Sequence, residues 1–425
     1  MIDLDYTNLH KINPKHGLSE NEPESKNELL PKFIEKVHSH EQGFYTNIDD
    51  SKTIQKIQDF AKTTRAKYSS IIILGIGGSA LGSKCLIQGL CHLFQNKLKT
   101  SSAPNVHIID NIDPVLINNL EDIIEYSKTL FIVISKSGST PETITQYLYF
   151  RQKTNDKKLN PKNHFVFITD PEKGFLRETA EKDCITIFNI PKNTAGRFSA
   201  LTAVGLLPAL LAEIDINRII SGAKIMRDKF LNENFNENLP FKLAVIQYLL
   251  YEKGKNIDVL MPYSQKLTGL SEWYRQLLAE SLGKKGKGIT PIRALGATDQ
   301  HSQLQLYNEG PNDKLIIFME VEKTDTEITI PNPFPEKKEL KFLEKNITFN
   351  NLMKIEKVAA EISLTKNDRP NITIKVDSLK EETLGESLMM FMGATAFLGE
   401  LLQVNAFNQP GVEHTKKIIK QSLLK

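Results

Sequence analysis

Hydroxyl groups crowd the run Ser135-Lys136-Ser137-Gly138-Ser139-Thr140-Pro141-Glu142-Thr143. The run follows a short apolar stretch and opens a helical one, with Thr140 suited to the N-cap and Pro141 to the first helical position. The hydroxyls of Ser135, Ser137 and Thr140, several backbone N–H groups and the ammonium of Lys136 thus converge on the positive end of a helix. That combination is a cradle for a phosphate monoester dianion. The order Gly-x-x-x-x-Gly-Lys-Ser/Thr of a nucleotide P-loop is absent. A solvated Ser/Gly turn is the plainer alternative for this loop taken by itself.

A second turn, Gly75-Ile76-Gly77-Gly78-Ser79-Ala80-Leu81-Gly82, also sits between an apolar run and a helical one. Glycines there let backbone approach a ligand, and Gly78 and Ser79 begin a helix whose N–H groups can meet an anion. Gly75, Gly77 and Ala80 also fit a dinucleotide fingerprint. Asp110 ends the next apolar run as a ribose-binding acid would, although it comes later than the usual ~20 residues. A nucleotide, a sugar phosphate and a merely tight turn stand side by side as readings of this segment.

A carboxylate, an imidazole and an ammonium complete the reactive groups. Ser271 to Lys284 reads as a helix ending in glycine, in which Glu272, Gln276 and Glu280 share one face. Glu280 is flanked by Leu277, Leu278 and Ala279, a setting that would partly desolvate it as a general base needs. His301, in the polar segment Gly296 to Gln303, could exchange protons near neutral pH. Lys416 lies in Gly411-Val412-Glu413-His414-Thr415-Lys416-Lys417, at the opening of a last helix. Taken singly, each has a plainer reading that prevails: a surface helix acid, a structural or solvated histidine and a solvated helix start.

These segments need elements to hold them. Short apolar runs at Ile71–Leu74, Val106–Ile109, Leu130–Ile134, Phe165–Ile168 and Ile185–Ile190 alternate with helical stretches. The pattern predicts parallel strands joined by crossover helices, in a doubly wound, flavodoxin-like α/β sheet with its ligand at the strands' carboxyl ends. A second α/β unit is expected on strands Ile257–Met261, Leu315–Met319 and Ile372–Val376. The expected division is an N-terminal arm or cap over 1–48, a first domain over 49–212 with the phosphate loop, and a second domain over 213–405. A surface excursion near 321–369 interrupts the second domain, and 406–425 form a C-terminal helix carrying the lysine.

The chain has 425 residues, which suits two domains rather than one core. Lys plus Arg is 54 and Asp plus Glu is 51, a net charge of +3 that gives no support to nucleic-acid binding. Cys85, Cys91 and Cys184 have neither paired nor metal-ligand spacing, and Cys85 and Cys91 fall in an apolar helical stretch as buried free thiols. No run approaches the ~20 apolar residues of a membrane span, and the N-terminus has no signal-peptide core. A cytoplasmic protein without membrane partner is expected.

Taken together, the segments resemble the glucose-6-phosphate isomerase (phosphoglucose isomerase) family. The resemblance runs from about residue 45 to the end. It lies in Gly75–Gly82, Ser135–Thr143, Gly196-Arg197-Phe198-Ser199, Gln276–Lys284, Gly296–Ser302 and Gly411–Lys416, in the family's order. It implies two sugar-isomerase domains, each a mainly parallel sheet flanked by helices. It implies an aldose–ketose isomerase interconverting glucose 6-phosphate and fructose 6-phosphate through ring opening and a cis-enediolate, without metal or other cofactor. By the same resemblance Glu280 shuttles the proton between carbons 1 and 2, His301 and Lys416 serve ring opening, and Arg197 stabilises the enediolate. Gly78, Ser79, Ser135, Lys136, Ser137 and Thr140 hold the substrate, chiefly its phosphate, with Gln276 nearby. The resemblance further implies a homodimer in which His301 reaches the neighbouring subunit's site. His414 and Thr415 stand where many members have Leu and Gly. A non-catalytic sugar-phosphate sensor would need the hydroxyl loop but not Glu280, Arg197, His301 and Lys416 together, and a dual glucose/mannose 6-phosphate isomerase is the nearest enzymatic alternative.

Overall fold

A computed structural model of the chain describes residues 1–98 and 103–423. Among these described residues ten strands form two five-stranded sheets. β1 is Ile2–Asp5, β2 Ser70–Leu74, β3 Asn105–Ile109, β4 Thr129–Ser135 and β5 Phe165–Thr169. β6 is Thr186–Asn189, β7 Ile257–Pro262, β8 Thr290–Arg293, β9 Lys314–Lys323 and β10 Asn371–Ser378. The first sheet runs β3-β2-β4-β5-β6, all parallel, as expected of a flavodoxin-like unit. Every residue of β2, β4 and β5 is buried. Such near-continuous apolar strands form when crossover helices cover both faces of a parallel sheet.

Read from its far edge, the second sheet runs β8-β7-β9-β10-β1. Its four later strands are parallel and repeat the order of the first sheet. The fifth place is taken by β1, antiparallel to β10, with Ile2 opposite Val376. Residues 1–48, expected as an arm, therefore contribute a strand, because the alternation Ile2/Leu4 buries two side chains on one face. β8 was not expected. It holds Pro291 and Arg293, and a proline is tolerated there because β8 is an edge strand.

The excursion near 321–369 is also narrower than expected. β9 continues to Lys323, and Phe349–Lys366 is a helix that packs inward through Ala360 and Leu364. Thr348 and Asn351 start that helix with a reciprocal capping box. The largest apolar core is continuous across both sheets, from Ile71 and Ile132 to Leu260, Ile317 and Ile374. Its centre is the helix Glu381–Leu401, which is buried on nearly every side. Among the described residues no helix is long and apolar enough to cross a membrane.

Candidate active site

β2 and β4 are neighbours, and their following helices start at the point where the strand order reverses, which is where ligands of such sheets bind. The glycine turn follows β2 and the hydroxyl loop follows β4, so the topology brings them side by side. Gly77 has φ +58° and precedes the helix Gly78–Leu90. A Cβ on Gly78 would lie 2.4 Å from the carbonyl oxygen of Gly196 and 2.8 Å from the nitrogen of Arg197. Glycine is required there because the turn abuts the 3-10 segment Gly196–Leu201 that presents Arg197.

The hydroxyl loop folds on itself. Thr140 occupies the N-cap of the helix Pro141–Asp156 with Pro141 in the first turn, but its hydroxyl makes no capping bond to that helix. It pairs instead with the Ser135 hydroxyl at 2.8 Å and the Ser137 hydroxyl at 3.4 Å. The first N–H groups of the helix thus keep their donors for an anion. Ser137 and Thr140 line a cavity of about 420 Å³, with Gly78, Ser79 and Lys136. Ser135, expected to touch the phosphate, is buried at the end of β4 and does not line that cavity. It acts on the loop through Thr140. The Lys136 ammonium donates to the carbonyl of Thr194 at 2.8 Å. Burial holds its pKa below the ordinary lysine value; Asp170 opposes this and Arg197 adds to it.

Across the cavity stands the helix Thr268–Leu282. Gln276 donates to Glu280 Oε2 at 3.1 Å, and Arg197 Nη1 lies 3.6 Å from the same oxygen. Both Gln276 and Glu280 line the cavity. Glu272, on the same face, turns instead to the ammonium of Lys84 at 2.7 Å and to the guanidinium of Arg293. Asp110 also faces Lys84, at 3.8 Å, and is not part of the cavity. Arg197 is fully buried and its donors are engaged. Nε meets Ser281 Oγ at 2.7 Å and Nη1 meets Gln409 Oε1 at 3.1 Å. Nη2 meets the carbonyls of Ala406 at 2.6 Å and Asn408 at 3.1 Å. Burial lowers its pKa to about 10, opposed by Glu280, so the guanidinium stays charged at neutral pH.

Beneath the helix, the carboxyl of Asp258 on β7 is wholly buried. It accepts from Gln247 Nε2 at 2.6 Å and from the Tyr274 hydroxyl at 3.4 Å. Burial pushes its pKa up to about 7, against the two hydrogen bonds.

Lys416 reaches the rim of the cavity from the C-terminal helix Pro410–Leu423, where its ammonium pairs with Glu413 at 2.8 Å. His301 is not part of the cavity. It is exposed on the 3-10 turn Thr298–His301, which Asp299 braces through the amide of Leu295 at 2.7 Å and the hydroxyl of Ser302 at 2.6 Å. Asp170, Phe407, Gln409 and Glu413 line the cavity without having been singled out by type. Gln409 and Phe407 lie just before the Gly411–Lys416 segment, and that proximity is the signal that could have found them. Among the described residues no group of three or more His, Cys, Asp or Glu side chains is placed to hold a metal ion.

Comparison with known proteins matches this architecture. The sequence profile of the family described as phosphoglucose isomerase covers residues 49–424. A glucose-6-phosphate isomerase of Carboxydothermus hydrogenoformans is 42% identical, over 98% of this chain and 93% of its own length. One from Methanocaldococcus jannaschii is 36% identical over 98% of both. A solved structure of a hypothetical protein from Thermus thermophilus superposes over 100% of both chains, with a TM-score of 0.89 and 31% identity. A glucose-6-phosphate isomerase structure from Chlamydia trachomatis, at 23% identity and a TM-score of 0.77, covers 88% of this chain and 73% of its own and shares the fold. With the strand order, the phosphate-type loop and the Gln276/Glu280 helix in place, the chain belongs to the phosphoglucose isomerase family.

Proposed function

We propose that the protein interconverts glucose 6-phosphate and fructose 6-phosphate, an aldose–ketose isomerisation of glycolysis and gluconeogenesis, with Glu280 as the base. Curated relatives carrying that activity in their names match nearly the whole chain. The observation that carries the reading at residue level is convergence on one cavity. A hydroxyl-lined helix start lies on one side, and the carboxylate of Glu280 beside Arg197 lies on the other.

The phosphate binds at Ser79, Ser137 and Thr140 and the start of the helix Pro141–Asp156, with Lys136 adding charge. This anchors the end of the sugar that does not react and orients carbons 1 and 2. Ring opening moves a proton onto the ring oxygen and removes one from the anomeric hydroxyl; we assign this to Lys416 and to His301 of the partner subunit. Glu280 then takes the proton from carbon 2 of the open aldose, giving the enediolate; the hydroxyl proton passes from oxygen 2 to oxygen 1, and Glu280 returns its proton to carbon 1 to give the ketose. Arg197 supplies a fixed positive charge beside the developing oxyanion. Because its donors already hold the Ala406–Gln409 segment, it acts through its field rather than by turning toward the sugar. The exposed, braced turn bearing His301 supports a homodimer in which that side chain completes the neighbouring cavity.

We take residues 49–212 and 213–405 as the two working domains. We place the enzyme in the cytoplasm, in keeping with the free, buried thiols of Cys85 and Cys91. Purified protein should turn over fructose 6-phosphate and glucose 6-phosphate in coupled assays, with mannose 6-phosphate as the third substrate tested. Absence of turnover with the first two would sink the reading.

A further inference from the structure

The helix bearing Glu280 is followed by Gly283 and Lys284. The Lys284 ammonium donates to three carbonyls: Glu280 at 3.1 Å, Ser281 at 2.5 Å and Asn405 at 2.7 Å. The first two are last-turn carbonyls of the helix, where a cation is favoured. The third belongs to the loop 402–409, which joins the buried helix Glu381–Leu401 to the C-terminal helix. Lys287 holds the same loop at the Leu402 carbonyl, at 2.9 Å, and Arg197 holds it at Ala406 and Asn408. Beyond the loop, residues 411–416 are exposed. A cleft of about 480 Å³ lies between Ala279 and Gly283 on one side and Pro410–Val412 on the other. The cleft separates the C-terminal helix from the helix of Glu280 there, and the loop between them is seated by its apolar side chains Val404, Ala406 and Phe407 together with these cations.

We propose that Lys284 is a positioning residue for the isomerisation, tying the backbone of Glu280 to the loop that seats Lys416 and so holding base and ammonium in register across the cavity. The inference rests on the roles proposed above for those two residues. Lys284 does not line the main cavity and takes no part in proton transfer. Its three hydrogens match three carbonyls, and a neutral amine would keep two. Burial lowers its pKa to about 8, with Arg197 adding to the effect and Glu280 opposing it. The loop 402–409 carries no titratable side chain; Arg197 and Glu280 are the charges acting on Lys284, Lys287 holds the loop nearby, and the His40–Glu400 pair lies against Phe407 on the same loop.

The test compares wild type, Lys284→Met and Lys284→Arg by steady-state kinetics and by amide hydrogen exchange. Lys284→Met should lower kcat by roughly 10- to 100-fold with little change in KM, since a misplacement of about 1 Å can cost that much. Exchange should speed up over 403–416 and stay unchanged over 135–143. Lys284→Arg should recover most of kcat. Wild-type kcat should also fall above pH of about 8, and the arginine variant should carry that limb to higher pH. Unchanged kcat and exchange in Lys284→Met would overturn the proposal. So would a loss that Lys284→Arg does not recover, or one that only tracks the melting temperature. If Lys284→Met does not fold, the alkaline limb of the arginine variant decides. If wild type shows no isomerase activity, the functional reading falls, and exchange over 403–416 still decides whether the clamp exists.

Discussion

Arg197 Nη1 stands 3.6 Å from Glu280 Oε2, and the same oxygen accepts from Gln276 at 3.1 Å. One guanidinium thus faces the carboxylate while Nη1 and Nη2 fasten the segment Ala406–Gln409 and Nε holds Ser281. The charge that would steady an enediolate also organises the wall of the cavity. This is a reason for an arginine at this place, because a lysine could not span four partners in one plane.

Glu280→Gln keeps shape and the neighbouring hydrogen bonds but removes the base. Turnover should fall by at least ~10²-fold, as expected for a positioned general base, with sugar-phosphate binding largely kept. Wild type should exchange the carbon-bound hydrogen with solvent deuterium during turnover, and the variant should not. Near wild-type turnover and exchange in the variant would move the base elsewhere.

Thr140→Val removes the hydroxyl that gathers Ser135 and Ser137. A hydrogen bond to a charged group is worth about 1.5–3 kcal/mol, so KM should rise roughly tenfold or more while kcat changes little. Collapse of kcat at constant KM would contradict an anchoring role.

His301→Ala and Glu280→Gln subunits, each inactive alone, should regain part of the activity after mixing. A hybrid dimer would then have one site with both groups intact. No recovery after verified subunit exchange would mean that each chain builds its own site.

Asp258→Asn tests the buried carboxyl under the helix Thr268–Leu282. The folded-state pKa of about 7 lies above that of an exposed aspartate, so the native protein binds this proton more tightly than the unfolded chain. Its stabilising contribution is complete below pH of about 4 and is lost as pH rises toward about 7. Urea denaturation of wild type should therefore show a decline across that window which Asp258→Asn flattens. Parallel declines in both proteins would count against a raised pKa.

Much of this was legible in the sequence because the relevant signals are local. β2, β4 and β5 are unbroken apolar runs, and the turns after β2 and β4 carry their glycines and hydroxyls within a few residues. Four features were not legible. Ser135 looks like any other hydroxyl of its loop, yet as the last residue of a buried strand it faces inward. β8 hides behind Pro291, and β1 is a short alternation whose partner lies at the other end of the chain. The bonds of Arg197 to Ala406, Asn408 and Gln409 join segments more than 200 residues apart. No local pattern announces such contacts, because they exist only once both sheets have packed.

β1 pairs with a strand roughly 370 residues further along. At a synthesis rate of about 5–20 residues per second, Ile2–Asp5 would leave the ribosome roughly 20 to 70 s before β10 does. Four residues cannot persist as an isolated strand, so Ile2 and Leu4 must wait for their partner while the first sheet forms and the second is still being translated. The place of β1 is filled only once β10 has been made. Refolding of this chain should accordingly include a late step in which Ile2–Asp5 docks along β10.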